Sequence, residues 1–319
     1  MAHLEGKVAI VTGAGRGIGR AHALALAREG AAVLVNDLGS ELNGDGSANR
    51  APADEVVREI VEAGGRAAAD CADISDWDAA GVVVESALQA FGRLDIVVNN
   101  AGIARFATID KVTRRDWERT IAVHLTGTAA LSHCAAAYWR DKGPEGGRSI
   151  LNTSSAVGLH PVPQNPMYVA AKAGIAALTI SSATELAEFG VRVNCLAPVA
   201  RSRVSEVVAA ELMTKIPQGF DPMSPEHVAA VAAFLVSPLC PFTGRIVGVA
   251  GDDVTIYQGW TVVHHLSNGN RKWTVDTLRT AFANVPVQQS STSQSVEGVE
   301  ELRTPSDEVL KQLAAVEHA

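Results

Sequence analysis

The chain has few cysteines, no long apolar run and no excess of basic residues. Its four cysteines lie far apart and never form a CxxC pair, so we expect neither a metal site nor a disulfide framework. No apolar run reaches the roughly 18 residues of a membrane span, and no signal peptide precedes the first apolar segment. We therefore expect a cytoplasmic protein that binds no membrane.

The net charge of −8 argues against a broad nucleic-acid-binding surface. Hydrophobic residues make up 47% of the chain, which supplies enough aliphatic material for a core and excludes global disorder. A length of 319 residues suits either two domains or one large α/β domain with a tail. We therefore expect no nucleic-acid partner.

Short β-branched runs alternate with longer segments of helical period, a pattern typical of βαβ units around a parallel sheet. The seven predicted strands are Val8–Thr12, Ala32–Asn36, Ala67–Cys71, Ile96–Asn99, Ser149–Thr153, Arg192–Leu196 and Ile246–Val249. The predicted helices are Gly19–Arg28, Ala53–Ala63, Asp78–Phe91, Arg115–Asp141, Tyr168–Glu188 and Pro225–Val236. The fold class is therefore α/β.

Two segments interrupt this alternation. Leu38–Ala51 is rich in Gly, Asn and Ser and predicts a loop inserted after the second strand. The α/β alternation predicts one domain over residues 1–258. Residues 259–319 form a C-terminal extension, in which a polar linker at Gln288–Val296 precedes a short helix at Ser306–Val316. The start of the extension is rich in aromatic and imidazole groups: Trp260, His264, His265, Trp273 and Phe282. We expect this part of the extension to pack across subunits and hold an oligomer together, or alternatively to line one side of a substrate pocket.

A glycine cluster follows the first strand and opens a helix. Such a turn lets the backbone approach a pyrophosphate at the helix N-terminus, although glycines also serve plain tight turns. The candidate cofactor-binding residues of this turn are Gly13, Arg16, Gly17, Ile18 and Gly19.

Asp37 ends the second strand about twenty residues later, where a carboxylate accepts hydrogen bonds from adenosine ribose hydroxyls and repels a 2′-phosphate. This favours NAD over NADP. Arg16 favours NADP instead, because its guanidinium could reach a 2′-phosphate. Asp73 and Ile74, after the third strand, are placed where the sheet would meet adenine; a helix N-cap is the alternative for Asp73.

Tyr168 and Lys172 are one helical turn apart and share a helix face. A nearby ammonium, together with a nicotinamide cation, would favour the phenolate and make Tyr168 a usable base. Ser155 ends the fifth strand and would face the same cleft. A Tyr-x-x-x-Lys pair alone is usually an exposed pair on a helix. The prediction of a catalytic group therefore rests on Ser155, Tyr168 and Lys172 taken together.

These residues together resemble the short-chain dehydrogenase/reductase family over about residues 5–258. The resemblance rests on the turn at Thr12–Gly19, the Asn-Asn-Ala-Gly at Asn99–Gly102, Ser155, and the Tyr168 and Lys172 pair, in the family's order. It implies a single Rossmann-like doubly wound domain, a dimer or tetramer, and NAD(P)-linked interconversion of alcohol and ketone. By position, Tyr168 is the general acid/base, Lys172 binds the nicotinamide ribose, Ser155 orients the substrate oxygen, and Asn100, Ala101 and Gly102 border the cofactor.

The chain departs from the family pattern at two places. His124 replaces a commonly found Asn of the proton relay; it could relay a proton itself, or be a core histidine bonded to a carbonyl. The segment Ala197–Arg203 replaces a Pro-Gly turn, which leaves Pro198 as the candidate cofactor contact there. Arg201 and Arg203 could meet a CoA phosphate, but salt bridges that fix the loop are the favoured interpretation.

At subfamily level the chain is similar to the (3R)-hydroxyacyl-CoA dehydrogenase domain of multifunctional enzyme type 2, also called 17β-hydroxysteroid dehydrogenase type 4. The similarity implies an NAD-dependent oxidoreductase of lipid metabolism acting on a bulky 3-hydroxyacyl-CoA or hydroxysteroid-like substrate. The alternatives are an NADPH-linked 3-oxoacyl carrier-protein or general carbonyl reductase and, more remotely, a non-catalytic dinucleotide-binding protein.

Overall fold

The computed structural model describes residues 2–211, 213–260, 262, 264–283 and 285. Its centre is one sheet with the strand order β3-β2-β1-β4-β5-β6-β7-β8. The strands are β1 Val8–Thr12, β2 Ala32–Asn36, β3 Arg66–Asp70, β4 Ile96–Asn99, β5 Arg148–Thr153, β6 Val191–Val199, β7 Ile246–Ala250 and β8 Asp253–Tyr257. The first seven strands pair in parallel, which confirms the predicted α/β fold and the placement of those strands within a few residues.

Helices cover both faces of the sheet. They are α1 Gly17–Arg28, α2 Ala51–Glu62, α3 Ala79–Phe91, α4 Arg114–Ile121, α5 Gly127–Lys142, α6 Ala156–Leu159, α7 Pro166–Glu185, α8 Arg203–Val208, α9 Pro225–Val236 and α10 Val275–Phe282. One core packs α1, α2 and α9 on one face, and a second packs α3 and α5 on the other. Strands buried on both faces explain the near-continuous apolar runs in the sequence.

The strand order reverses between β1 and β4. Consecutive crossovers lead from β1 outward to β3 and then return to β4, next to β1 on its other side. A crevice opens at the carboxyl ends of the strands at such a reversal, and ligands of open α/β sheets bind there. The glycine turn after β1 and the Asn-Asn-Ala-Gly segment after β4 both lie at this edge.

The prediction of seven strands was wrong, because an eighth strand follows β7. Asp253–Tyr257 turns back antiparallel to β7, with Ile256 opposite Val247. The connection is the two-residue loop Gly251–Asp252, and Gly251 has a φ of +59°. Hairpins of two-residue loops require such a positive φ, so the Gly-Asp pair before an alternating Val-Thr-Ile-Tyr run was the sequence signal for this strand.

The predicted single helix Arg115–Asp141 was also wrong in detail. It divides into α4 and α5, with a π-helical turn at Ala122–Thr126 between them. A π-turn inserts one residue into the helical repeat, which the apolar pattern does not reveal. His124 lies within this turn.

The described residues up to Tyr257 belong to one compact unit, whereas the described residues between Gln258 and residue 285 belong to a second. Its helix α10 is capped by Thr274, whose hydroxyl accepts a hydrogen bond from the Thr277 backbone N–H. The aromatic side chains predicted to pack are exposed, with Trp260 79% accessible. The predicted linker and terminal helix lie outside the described residues. Within the described part of the chain, no helix is long and apolar enough to cross a membrane.

Candidate active site

The turn between β1 and α1 is so tight that two of its glycines have no room for a side chain. A Cβ on Gly13 would lie 2.8 Å from the Ala101 Cα, and a Cβ on Gly19 would lie 2.1 Å from the Gly13 carbonyl oxygen. Gly13 and Gly17 also have positive φ values of 61° and 53°. The spacing of the glycines is thus a requirement of the backbone, as the sequence indicated.

The N-terminus of α1 suits an anionic ligand. Its N-cap residue, Arg16, makes no side-chain hydrogen bond to the first turn, and that turn contains no acidic residue. The backbone N–H groups at Gly17, Ile18 and Gly19 precede the first i to i−4 bonds of the helix, so they are donors for an external acceptor. The residues present therefore fit the pyrophosphate of a dinucleotide.

Asp37 lies at the carboxyl end of β2, directly beside the glycine turn. Its two carboxylate oxygens accept hydrogen bonds from the Gly15 and Gly39 backbone N–H groups, each at 2.7 Å. Because both bonds come from the backbone, the carboxylate is held in place beside the glycine turn. Arg16 is half-buried nearby.

Asp73 and Ile74 follow β3 but cap no helix. The Asp73 carboxylate accepts hydrogen bonds from the Ser75 backbone N–H and hydroxyl and pairs with Arg119. Burial acts to raise the Asp73 pKa, but the Ser75 hydrogen bonds and the charge of Arg119 lower it below its usual range. Ile74 is buried, and its Cδ1 lies 2.3 Å from the position of a Cβ on Gly127, which keeps that residue small.

The inserted loop after β2 is an ordered part of this edge. The Ala104 backbone N–H donates to the Leu42 carbonyl, and Arg119 donates to the Gly44 carbonyl. Arg105 pairs with Asp45 in the loop and also contacts Asp116 in α4. The loop therefore spans from Asp37 to the segment after β4, a connection that composition alone did not show.

The Asn-Asn-Ala-Gly segment anchors the turn. The Asn100 side chain donates to the Thr12 and Gly13 carbonyls, at 2.9 and 3.3 Å. The Thr12 hydroxyl accepts from the Asn100 and Ala101 backbone N–H groups. Asn100 thus holds the backbone of the glycine turn with its side chain rather than presenting that side chain to the crevice.

Ser155, Tyr168 and Lys172 come together at the carboxyl end of β5. Ser155 caps α6, and its hydroxyl hydrogen-bonds with that of Tyr168. The Lys172 Nζ lies 5.5 Å from the Tyr168 ring centroid and donates to the Thr153 carbonyl at 2.7 Å. Gly158 allows α6 to pack on α7, because a Cβ there would lie 2.7 Å from the Lys172 Cβ.

Burial sets the protonation of this group. It raises the pKa of the Tyr168 phenol above its usual value, against the hydrogen bond from Ser155, which lowers it. It lowers the pKa of Lys172 to about 8. Burial of the phenol therefore opposes the phenolate that the sequence predicts, and a positive charge bound in the site would favour it.

His124 packs edge-on to Tyr168, with ring centroids 5.1 Å apart. Its Nε2 lies 2.9 Å from the Ile103 carbonyl oxygen and 3.1 Å from the Ile103 nitrogen. Burial, together with the charge of Lys172, lowers the His124 pKa to about 3. The ring is therefore neutral at ordinary pH, and its geometry matches the core histidine bonded to backbone better than a proton relay. Gly102 must be glycine because a Cβ would lie 2.6 Å from the His124 Cε1.

The segment after β6 approaches the glycine turn. Pro198 is half-buried within β6, opposite Val249. Arg201 pairs with Asp221 through both of its terminal nitrogens, which favours the structural interpretation of that arginine. Ser202 lies directly over Gly17, with its Cβ 3.6 Å from where a Cβ on Gly17 would be.

Buried amides that the sequence analysis did not single out tie the central strands together below the site. The Asn99 amide donates to Asn152 and to Ser132, and the Asn152 amide donates to Thr179. The sequence signal for this network was the presence of polar residues at the ends of apolar strands, because buried polar groups are nearly always hydrogen-bonded to one another.

Comparison with known proteins agrees with this geometry. Residues 7–202 match the family model described as short chain dehydrogenase. The chain is 40% identical over 297 residues to hydroxyacyl-CoA dehydrogenase ChsB1 of Mycobacterium tuberculosis, covering 90% of this chain and 92% of that protein. It is 38% identical over 265 residues to peroxisomal multifunctional enzyme type 2 of Drosophila melanogaster, covering 83% of this chain and 41% of that longer protein.

Two solved structures are similar in fold as well as sequence. A short chain dehydrogenase from Mycobacterium avium superposes with a TM-score of 0.77 at 41% identity, covering 88% of this chain and 94% of the other. A short chain dehydrogenase from Burkholderia cenocepacia in complex with NADP gives a TM-score of 0.66 at 32% identity, covering 78% and 98%.

Proposed function

This chain belongs to the short-chain dehydrogenase family, and from that premise we propose that it is an NAD-dependent oxidoreductase that interconverts a 3-hydroxyacyl-CoA and its ketone. The observation that carries the proposal is the meeting of Ser155, Tyr168 and Lys172 at the sheet edge that also holds the glycine turn. A nucleotide cradle and an acid/base group share one crevice in this arrangement.

Each side chain has a definite role in the proposed oxidation. The Ser155 hydroxyl orients the substrate oxygen, and the Tyr168 phenolate takes the proton from the substrate hydroxyl. The bound nicotinamide supplies the hydride acceptor, or the hydride donor in the reverse direction. Lys172 binds the nicotinamide ribose and, when charged, favours the phenolate form of Tyr168. His124 fixes the segment after β4 through Ile103 and packs the Tyr168 ring.

The proposed preference for NAD rests on Asp37. Its carboxylate is fixed by two backbone N–H groups at the end of β2, where it can accept from ribose hydroxyls and repel a 2′-phosphate. The proposed cofactor contacts also include Asp73 and Ile74 near adenine, with Asn100, Ala101, Gly102 and Pro198 along the crevice.

The substrate class rests on the relatives. ChsB1 is named a hydroxyacyl-CoA dehydrogenase, and the match to it covers nine-tenths of this chain. A bulky hydroxysteroid-like alcohol is the related possibility, because an apolar pocket specifies size better than chemistry. The proposed assembly is a two-fold symmetric dimer or tetramer, and the proposed compartment is the cytoplasm.

A second candidate function is an NADPH-linked carbonyl or 3-oxoacyl carrier-protein reductase. Arg16 beside the crevice favours it, as does the NADP bound to the Burkholderia relative. Asp37 opposes it. A non-catalytic dinucleotide-binding protein is opposed by the intact Ser155, Tyr168 and Lys172.

The deciding experiment is a panel assay. The purified chain is supplied with NAD or NADP and with 3-hydroxyacyl-CoAs, hydroxysteroids and simple secondary alcohols, and nicotinamide reduction is followed by absorbance. The reverse reaction is assayed with NADH or NADPH and a 3-oxoacyl-CoA or 3-oxoacyl carrier protein, and dinucleotide binding is measured separately by fluorescence. The proposal predicts the highest kcat/KM for NAD with a 3-hydroxyacyl-CoA. A higher kcat/KM with NADPH and a 3-oxoacyl carrier protein would favour the second candidate, and dinucleotide binding without turnover on any substrate would refute catalysis.

A further inference from the structure

A third apolar cluster joins the edge strand β8 to elements that carry the catalytic side chains. Its buried members come from α7, β6 and β7 and are Ile175, Ala176, Cys195, Ala197 and Ile246. The partly buried side chains packed against them are Leu125, Leu159, Ile180 and Tyr257. Leu125 comes from the π-turn that contains His124, and Leu159 comes from α6, which Ser155 caps. Tyr257 of β8 is thus attached to the same cluster as both of these segments.

The Tyr257 side chain lies across the neighbouring strand β7. A Cβ on Gly248 would lie 2.8 Å from the Tyr257 Cε2, so the ring covers a position where only glycine fits without a shift. The backbone of Tyr257 is opposite Ile246, two residues before Gly248. The ring therefore leans towards the carboxyl end of β7, and β5, β6 and β7 are parallel neighbours. That is the edge of the sheet at which the catalytic group lies.

The same ring reaches the end of α6. The ring centroids of Tyr257 and His160, the C-cap residue of α6, are 5.8 Å apart. The helix α6 has only four residues, Ala156–Leu159, and the bond from the Val157 N–H to the Ser155 hydroxyl is long, at 3.4 Å. One helical turn is not stable by itself, so the position of α6 depends on what packs against it.

Two elements pack against this short helix. The first is α7, because a Cβ on Gly158 would lie 2.7 Å from the Lys172 Cβ. The second is β8, through the contact of the Tyr257 ring with His160. Ser155 directly precedes α6, and its hydroxyl hydrogen-bonds with that of Tyr168. A shift of α6 would therefore move one partner of that bond.

We propose that Tyr257 is a positioning residue of the active site, whose ring supports α6 and so keeps the Ser155 hydroxyl against Tyr168. The inference rests on the proposed function, because it takes Ser155 and Tyr168 to act on a substrate alcohol. The role belongs to the ring, which makes the contacts with Gly248 and His160, and not to the hydroxyl. Displacement of a reacting group by a fraction of an ångström is enough to slow a reaction, even when the displacing change is distant.

A double-mutant cycle on the full chain tests this role. We would measure kcat and KM with NAD and a 3-hydroxyacyl-CoA for the wild type, Tyr257→Ala, Ser155→Ala and the double variant, and NADH affinity by fluorescence. Tyr257→Phe is the conservative variant, since it keeps the ring. Ile256→Ala is the matched control, because it removes an apolar side chain from the opposite face of the same strand, where Ile256 is 60% exposed. Melting temperatures establish that each variant is folded.

Tyr257→Ala should lower kcat about tenfold and leave NADH affinity unchanged, because only the position of Ser155 is affected. Tyr257→Phe and Ile256→Ala should both keep kcat within about twofold of the wild type, since the ring remains over Gly248 in each. In the Ser155→Ala background, loss of the ring should lower kcat by no more than about twofold further, because the group that it positions is already gone. A general loss of stability would instead act equally in both backgrounds.

His160→Ala provides a second route to the same contact. His160 is exposed, so its replacement leaves β8 and the third apolar cluster intact. It should lower kcat in the same direction as Tyr257→Ala, by about threefold, because Leu159 still holds part of α6. If Tyr257→Ala does not fold, His160→Ala takes its place in the cycle with Ser155→Ala.

Three results would overturn the inference. Equal losses of kcat in the wild-type and Ser155→Ala backgrounds would make Tyr257 a structural residue of the sheet edge. A raised KM with unchanged kcat would make it part of a substrate pocket. Wild-type kcat in His160→Ala and in folded Tyr257→Ala would show that α6 needs no support from β8. Absence of turnover in the wild type would overturn the proposed function as well, whereas these three results leave that function standing.

Discussion

At the scale of single residues, burial decides which side chains of this protein carry charge. It lowers the pKa of Lys172 to about 8, of His22 to about 4 and of His124 to about 3, and it raises the pKa of Tyr168. The proposed roles of Tyr168 and Lys172 follow from these pKa values. Tyr168 is the group that exchanges a proton, and Lys172 is the group whose charge assists the exchange.

Substitution of His124 separates a positioning role from a proton relay. His124→Asn keeps a side chain that can bond the Ile103 backbone, so kcat should stay within about threefold of the wild type and the pH profile should not move. His124→Leu removes the bond and leaves buried backbone groups at Ile103 unpaired, which should cost about 1 to 3 kcal/mol of stability. Steady-state kinetics and thermal melts of both variants check this. Because Asn is the residue commonly found at this place in the family's relay, activity of His124→Asn fits both roles, and His124→Leu decides between them. A kcat of folded His124→Leu within about threefold of the wild type fits a positioning role, and a loss of at least about 10²-fold would make the ring a relay.

Acid sensitivity should be traceable to His22. Both ring nitrogens of this fully buried residue lack hydrogen-bond partners among the described residues, and its pKa in the folded state is about 4 instead of 6.5. The unfolded state therefore binds a proton that the folded state refuses between these values, so this contribution to stability is complete above pH 6.5 and is lost as the pH falls towards 4. His22→Leu should remove a slope of about 1.4 kcal/mol per pH unit from the free energy of unfolding in that interval.

Denaturant unfolding at a series of pH values measures that slope. His3→Leu is the control, because His3 is exposed and its replacement should leave the slope as it is. An unaltered slope in His22→Leu would show that other groups account for acid unfolding. The variant should also be at least as stable at neutral pH, because a buried unpaired polar group is replaced by an apolar one.

At the scale of elements, the cofactor site is made by the way β1, α1 and β4 meet. Gly13 touches Ala101, Gly19 touches the Gly13 carbonyl, and Asn100 bonds the same turn. These close contacts restrict the backbone conformation of the turn. The start of α1, which no side chain caps, faces the crevice. We therefore expect binding of a pyrophosphate at the proposed site to depend on packing between elements as much as on the helix dipole.

Gly19→Ala tests this dependence. Its Cβ would lie 2.1 Å from the Gly13 oxygen and 2.5 Å from the Asn100 Nδ2, so the turn must shift and NADH should bind at least about tenfold more weakly. Gly81→Ala in α3 is the matched control, since nothing lies within 4 Å of its Cβ position. There the better helix propensity of Ala should raise stability by up to about 1 kcal/mol and leave NADH binding unchanged. Equal NADH affinity in both variants would contradict the account.

Elements with a strong local pattern were predictable from the sequence. The seven parallel strands and the helix Pro225–Val236 follow from apolar runs and caps, because burial on both faces leaves a clear signature. The π-turn at His124 was not predictable, since the apolar pattern does not show it and the Gly102 and Tyr168 contacts of the ring are long-range. The hydrogen bond from Arg203 to the Ser40 carbonyl was equally hidden, because no local pattern encodes a contact between the loop after β2 and the segment after β6. The strand Asp253–Tyr257 was predictable from the two-residue Gly251–Asp252 turn that precedes it.

At the scale of the whole molecule, we expect the C-terminal extension to take part in subunit assembly. The helices α5 and α7 carry small apolar residues in excess of one core face, notably Ala129, Ala136 and Ala177, which suits close pairing between subunits. The aromatic residues at the start of the extension are exposed in the single chain, Trp260 at 79% and Phe282 at 54%. Exposed tryptophans of this kind are typical of surfaces that become covered. We propose that the extension clasps the oligomer, with a wall for the substrate pocket as the alternative.

Truncation after Gly259 distinguishes these roles. A clasp predicts that light scattering will show a smaller assembly, or that the melting temperature will fall, while KM for small alcohols is retained. A pocket wall predicts a raised KM for bulky substrates with assembly unchanged. Wild-type protein that is a stable monomer at micromolar concentration, or a truncated chain that matches the wild type in assembly, melting and kinetics, would refute both proposals.

The central claim is that Tyr168 performs acid/base catalysis in an NAD-linked alcohol dehydrogenase. The most direct test compares the wild type with Tyr168→Phe, using NAD and a 3-hydroxyacyl-CoA, while NADH affinity is measured separately by fluorescence. Because the substitution keeps the ring against His124 but removes the proton acceptor, turnover should fall by at least about 10²-fold with NADH affinity little changed. Turnover by Tyr168→Phe near that of the wild type would contradict the account.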